Sequence, residues 1–167
     1  MDLINSYRLY AGGTFPNSWY DRFMILALCA SASFYNEVIA FCPKLEAMGF
    51  TVVLPKTAAT MRAEGRENDE ATTDWQASPQ GYHGKAVLIR EHFEEIAKSD
   101  AILVMNYEKH GSSNYIGPNV LMEMSVAFFL HKPIYILNGI PDESPLLDEI
   151  LGLEPIVLNG DIHKIDG

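Results

Sequence analysis

Five times between residues 24 and 158 the sequence returns to a short, unbroken apolar run. The runs are Met24–Cys29 (MILALC), Thr51–Leu54 (TVVL), Ala101–Tyr107 (AILVMNY), Pro133–Leu137 (PIYIL) and Pro155–Leu158 (PIVL). They do not alternate apolar with polar residues, so each predicts a strand covered on both faces. Segments of helical character lie between them: Asn36–Met48, Lys85–Ser99, Pro118–His131 and Ser144–Leu151. Gly49 reads as the stop of the first, and Pro43 inside it predicts a kink or a late start. Strands alternating with helices require parallel pairing through right-handed crossovers. The expected fold is therefore α/β and three-layered: a parallel five-stranded sheet with helices on both faces, flavodoxin-like or Rossmann-like. Ligands of such sheets bind outside the carboxyl ends of the strands, where the strand order reverses. That rule directs attention to Ala30–Tyr35, to the start of the segment after Leu54, and to Asn106–Asn119.

Two segments break the pattern. Residues 1–23 hold Gly12-Gly13, Pro16-Asn17 and many aromatics without a sustained period, and read as an N-terminal extension or arm. Lys56–His83 is long, polar and aperiodic, and carries Arg62, Arg66, Asp69, Glu70, Asp74 and Trp75. A long irregular insertion in a compact domain is usually functional or disordered. Residues 24–167 are expected to form a single domain, and a hydrophobic fraction of 48% is enough for its core.

The formal net charge of −10 argues against a nucleic-acid polymer as partner, because phosphate backbones repel an acidic surface. A small anion remains compatible, since backbone amides at a helix N-terminus hold a phosphate without a basic surface. No apolar run reaches the roughly 20 residues of a membrane helix, and the first residues lack the pattern of a secretory signal. A cytoplasmic location without membrane partners is the expectation. Cys29 and Cys42 sit in apolar contexts and read as buried free thiols. Neither they nor the histidines show the spacing of a metal site, so no metal and no cofactor is expected. A dinucleotide fingerprint, a P-loop, a nucleophile elbow and a zinc-protease motif are all missing.

One residue stands out against this background. Glu123 lies in Asn119–Leu130 (NVLMEMSVAFFL), a helix apolar nearly all round and therefore expected to be buried on most faces. An unpaired carboxylate is costly there. A capping box does not explain it, because with Asn119 as N-cap the partner position holds Met122. The helix dipole or solvent is one reading; a carboxylate positioned for chemistry in a semi-apolar cleft is the other. Such a group suits cleavage of a sugar–nitrogen bond, where a carboxylate below the ring stabilises or traps the developing oxocarbenium ion.

Ser99-Asp100-Ala101-Ile102-Leu103-Val104, the glycine-containing loop, Gly117 through Met122-Glu123-Met124-Ser125-Val126-Ala127, and Lys132-Pro133-Ile134-Tyr135-Ile136-Leu137 together resemble the core of the nucleoside 2-deoxyribosyltransferases. They are also similar to the related 2′-deoxynucleoside 5′-phosphate N-hydrolases. The resemblance covers the layout from Met24 to Leu137 and, in motif, its last third. It implies that Glu123 is the nucleophile and that Met24–Tyr35 meets the sugar or its 5′-phosphate. It also implies a small-molecule nucleoside or nucleotide as partner and a homo-oligomeric assembly. The first loop departs from the family's glycine-rich, arginine-bearing form: Ser31, Ser33 and Tyr35 stand there as substrate-binding candidates. Where the family usually places an Asp, before the third strand, this chain has His92, a candidate proton donor to the leaving base or else a helix-surface residue. Asn106, Gly117 and Asn119 complete the expected substrate contacts, Gly117 through a positive φ or a close backbone approach.

The reading is N-glycosidic bond cleavage or transfer on a nucleoside or nucleoside monophosphate through a glutamate nucleophile. The alternatives are a non-catalytic nucleotide-binding or sensing module on the same fold, and an interaction protein that uses its acidic surface and aromatic arm.

Overall fold

The computed structural model describes residues 24–66 and 78–165. The expected arm over residues 1–23 lies outside these residues, as do Asp69, Glu70, Asp74 and Trp75 of the insertion. Five parallel strands form one sheet: β1 Ile25–Cys29, β2 Thr51–Val53, β3 Ala101–Val104, β4 Ile134–Ile136 and β5 Ile156–Val157. Their order is β2-β1-β3-β4-β5, every pair parallel. The chain steps from β1 to β2 on one side and returns to β3 on the other. The reversal falls between β1 and β3, and the crevice above their carboxyl ends is the place for a ligand.

The continuous apolar runs arise because the central strands are covered twice. Leu26 and Leu28 of β1 point to one face, where Val38, Cys42 and Leu45 of α1 (Tyr35–Ala47) and Ala58 and Met61 of α2 (Lys56–Ala63) cover them. Ala27 and Cys29 point to the other face. There they meet Ile96 of α3 (Pro79–Lys98), Val120, Met124 and Ala127 of α4 (Pro118–Phe129) and Ile150 of α5 (Leu147–Gly152). The result is the expected three-layer sandwich, and both cysteines are buried and free.

Helix ends follow local chemistry. Past the C-cap Met48 of α1, Gly49 takes φ 91°. Its N–H donates to the Glu46 carbonyl and that of Phe50 to the Leu45 carbonyl, the two bonds of a Schellman stop. Pro43 does not delay the helix, which starts at Tyr35 and runs through it. The described residues of the insertion, expected to be irregular, hold two helical stretches. Lys56–Ala63 is α2, and α3 begins at Pro79 rather than at Lys85. Ser78 caps α3 by accepting from the Gly81 N–H at 3.2 Å, with Pro79 at the first helical position.

Helix α4 is less covered than its apolar sequence predicts. Its Val120–Met124–Ala127 stripe is buried, but Met122 is 40% exposed, Phe128 47% and Phe129 80%. The helix covers the sheet with one face only and turns an apolar face to the outside.

Candidate active site

Above the carboxyl ends of β1 and β3 lies a cleft of ≈ 470 Å³. Its walls come from the β1–α1 turn (Ala30–Tyr35), the start of α2 (Pro55–Thr57), one face of α3 (Lys85, Leu88, Ile89, His92, Phe93), Lys109 and Tyr115, and the first turns of α4 (Gly117–Val120, Met122, Glu123). Of the residues expected from sequence, Ser31, Ser33, Tyr35, His92, Gly117, Asn119 and Glu123 all line it.

Glu123 sits on the floor. The N-cap of α4 is Gly117 and Pro118 its first residue, so Glu123 lies in the second turn, beyond the reach of the N-terminal dipole. Its side chain is 15% exposed, and its Oε2 is buried without a hydrogen-bond partner. Burial raises its pKa to about 8, with the Cys29 thiol pulling the other way. The solvent and dipole readings therefore give no account of this carboxylate. Such a perturbed acid in a cleft is a functional candidate on physical grounds.

His92 is buried, not a surface residue. Its Nε2 lies 3.8 Å from Glu123 Oε1 and 3.8 Å from the Cys29 sulfur, while its Nδ1 lies 3.2 Å from Glu95 Oε2. A proton on Nδ1 satisfies the Glu95 carboxylate and leaves the Nε2 lone pair facing Cys29 and Glu123. Burial pushes the imidazole below its ordinary value, against the pull of Glu95. The Cys29 thiol is held well above its usual range, first by burial and then by Glu123. The Tyr35 phenol is pushed up by burial and by the same two neighbours.

Across the cleft the lining is basic. Lys109 Nζ donates to Ser31 Oγ at 3.1 Å and stands 4.9 Å from the centre of the Tyr115 ring. Lys56 and Lys85 also line the cleft. Three lysines gathered in one cleft of a chain with net charge −10 make a local cation field that composition hides.

Gly117 departs from one of its two expectations: its φ is −91°, so no positive φ is needed. A Cβ there would lie 3.0 Å from the hydroxyl at the end of the Tyr115 side chain. Asn106 departs from expectation. It is fully buried outside the cleft, and its side chain is spent inside the protein. The amide donates to the carbonyls of Asn114 and Gly139 at 3.1 and 2.8 Å, and the oxygen accepts from the Asn138 N–H at 3.0 Å. It ties the loops after β3 and β4 together and has no free donor for a sugar. Asp100, part of the stretch that carries the resemblance, accepts from the Ile25 N–H at 2.8 Å and so anchors β1.

Sequence reasoning missed Cys29, Glu95, Lys56, Lys85 and Lys109 as site residues. Glu95 was findable: three residues after His92 on a helix, it shares a face with it. Cys29 was not, since only the pairing of β1 with β3 brings it under residues 92 and 123.

A parallel α/β domain with a buried carboxylate at its strand-end cleft is the class that fold and site define. No family model and no curated protein sequence matches the chain. Among solved structures it is similar to a 2-deoxyribosyltransferase from the psychrotolerant bacterium Bacillus psychrosaccharolyticus. The two share 16% sequence identity over 85% of this chain and 92% of that one, with a TM-score of 0.51. At that identity the likeness is one of fold, and it agrees with the five-stranded parallel sheet between helical layers.

Proposed function

We propose that the chain is an enzyme that breaks the N-glycosidic bond of a nucleoside or, with the lysines in use, of a nucleoside monophosphate. The observation that carries this reading is the buried carboxyl of Glu123 in the cleft beside His92, with its Oε2 left without a hydrogen-bond partner. At neutral pH Glu123 holds a proton in the free protein, because its pKa is about 8. Substrate closing the cleft brings the 3.8 Å gap to His92 within transfer range. Positive charge growing on the anomeric carbon favours the anionic carboxylate and drives the proton to His92 Nε2, the weaker base of the two in the free protein, leaving a carboxylate beneath the sugar and an imidazolium held by Glu95. The carboxylate bonds to the anomeric carbon as the carbon–nitrogen bond breaks on the opposite face, and the imidazolium proton reaches the departing base through water. Water or a second base then displaces the sugar from Glu123, with His92 Nε2 taking the incoming proton.

Ser31, Ser33 and Tyr35 hold the sugar or its phosphate, with Lys109 beside them, and Gly117 and Asn119 offer the backbone of the α4 start. The exposed Met122, Phe128 and Phe129 of α4 are the proposed contact with a second copy of the chain.

The test is a chromatographic screen of nucleosides and deoxynucleosides, with and without a 5′-phosphate, for release of free base. Release that depends on Glu123 and on His92 supports the reading. Tight binding of a nucleotide that stays intact for hours would instead support the sensing module.

A further inference from the structure

We propose that Cys29, His92 and Glu123 form a binding site for one zinc-class divalent cation, and that the bound ion blocks the cleft chemistry. Three side chains from three elements aim one donor atom each at a common point: the Cys29 sulfur at the end of β1, His92 Nε2 on α3, and a Glu123 oxygen on α4. All three donors lie within 4.8 Å of one another. Two of the separations, Cys29 to His92 and His92 to Glu123, are 3.8 Å. Zinc–sulfur bonds of about 2.3 Å and zinc–nitrogen or zinc–oxygen bonds of about 2.0 Å at tetrahedral angles put neighbouring donors roughly 3.3–3.5 Å apart. The third separation, Cys29 to Glu123, is within 4.8 Å, so the ion has to draw the donors together by up to about 1.3 Å.

Two further observations point to a ligand here. Glu123 Oε2 is buried with no partner, and a buried polar oxygen without one is rare unless something binds it. His92 presents Nε2 to the point while Nδ1 faces Glu95 at 3.2 Å. A carboxylate behind a histidine is the usual outer arrangement of a metal-bound imidazole, and it fixes both tautomer and ring orientation. Thiolate with imidazole favours zinc and its soft neighbours over magnesium or calcium, which prefer all-oxygen sites. Three protein donors leave a fourth position, and His92 and Glu123 both border the cleft, so that position opens on it. On binding, Cys29 gives its thiol proton and Glu123 its carboxyl proton to solvent, and the two enter as thiolate and carboxylate.

The inhibitory consequence rests on the reaction proposed above, because the ion takes the carboxylate that the sugar needs. The site itself does not. The experiment is titration of cobalt(II), a coloured stand-in for zinc, into the full chain after treatment with a chelator. One equivalent is expected to produce the visible bands of tetrahedral cobalt and a thiolate-to-cobalt charge-transfer band. The charge-transfer band is lost in Cys29→Ala. In Glu95→Gln, a change to the positioning residue alone, the cobalt affinity falls about 10-fold to 100-fold. The wild-type spectrum needs no variant to fold: tetrahedral thiolate bands establish the site and their absence overturns it. Bands that survive in Cys29→Ala overturn it too, since they place the ion elsewhere. Zinc at one equivalent is then expected to stop base release, and a chelator to restore it; undiminished release by the zinc-loaded chain overturns the inhibitory role. A cobalt site in a chain that releases no base from any substrate would leave the metal inference standing and sink the proposed reaction.

Discussion

At the scale of single residues, the environment of Glu123 turns into a pH dependence. Unfolded, its carboxyl titrates near 4.3; folded, near 8. Between those values the folded chain holds a proton that the unfolded chain has released. Stability from this group is complete below the lower value and is lost as pH rises through the upper one, at up to about 1.4 kcal/mol per pH unit. His92 works the other way. Its folded value is lowered, so its contribution is present above its ordinary value near 6.5 and fades below it. Cys29 and Tyr35 titrate above the window, both pushed up. Glu123 is thus unopposed between about pH 6.5 and pH 8. With a chelator present, the wild-type denaturation midpoint is expected to fall across that interval relative to Glu123→Gln, and parallel curves would show that the carboxyl is not protonated in the fold.

Asn106 supplies a second residue-scale prediction. Asn106→Ala strips partners from two part-buried carbonyls and one N–H, at a cost of about 1–3 kcal/mol in urea unfolding. A change under 0.5 kcal/mol would mean that water replaces those bonds. Glu123 was legible in the sequence because a lone charge in an apolar helix is conspicuous. Asn106 was misread because position at a strand end says nothing about where a side chain's hydrogen bonds go. Its partners lie in loops up to 33 residues away.

At the scale of elements, the five strands and the α1, α4 and α5 segments were legible from period and breakers. The early part of α3 was not. Gly81 and Gly84 are poor helix formers and hide the apolar period, though Ser78-Pro79 already carried the start signal. The loop after β3 was legible only as a loop. In it Lys109 and Ser112 exchange backbone hydrogen bonds at 2.9 Å each, around His110 and Gly111 at φ 52° and 81°. Two successive positive φ values make a tight primed turn, and that turn aims Lys109 at Ser31. Phe34 brackets the same region, packing edge-on against Tyr107 and Tyr115. Lys109→Ala is therefore expected to raise KM for a nucleoside monophosphate about 10-fold to 100-fold, the worth of a charge-assisted hydrogen bond of roughly 1.5–3 kcal/mol. The unphosphorylated nucleoside should be little affected. An equal effect on both substrates would move the phosphate elsewhere.

At the scale of the whole molecule, no helix among the described residues is long and apolar enough to cross a membrane. The outward apolar face of α4 is the surface proposed above for a second copy of the chain. Phe129, 80% exposed, and its neighbours Phe128 and Leu130 form such a face at the end of a helix whose start lines the cleft. Light scattering is expected to give a multiple of the chain mass for the wild type and the single-chain mass for Phe129→Glu. A wild-type monomer would remove α4 as an assembly surface. This exposure was invisible in the sequence, since an apolar run reads alike whether a sheet or a second chain covers it.

Glu123 is the group proposed to meet the sugar. The most direct measurement is the rate of free-base release from the best substrate of the screen, for wild type and for Glu123→Ala shown by circular dichroism to be folded. The predicted result is a loss of about 1000-fold or more, as for other removed nucleophiles. A Glu123→Ala rate within tenfold of wild type would contradict it.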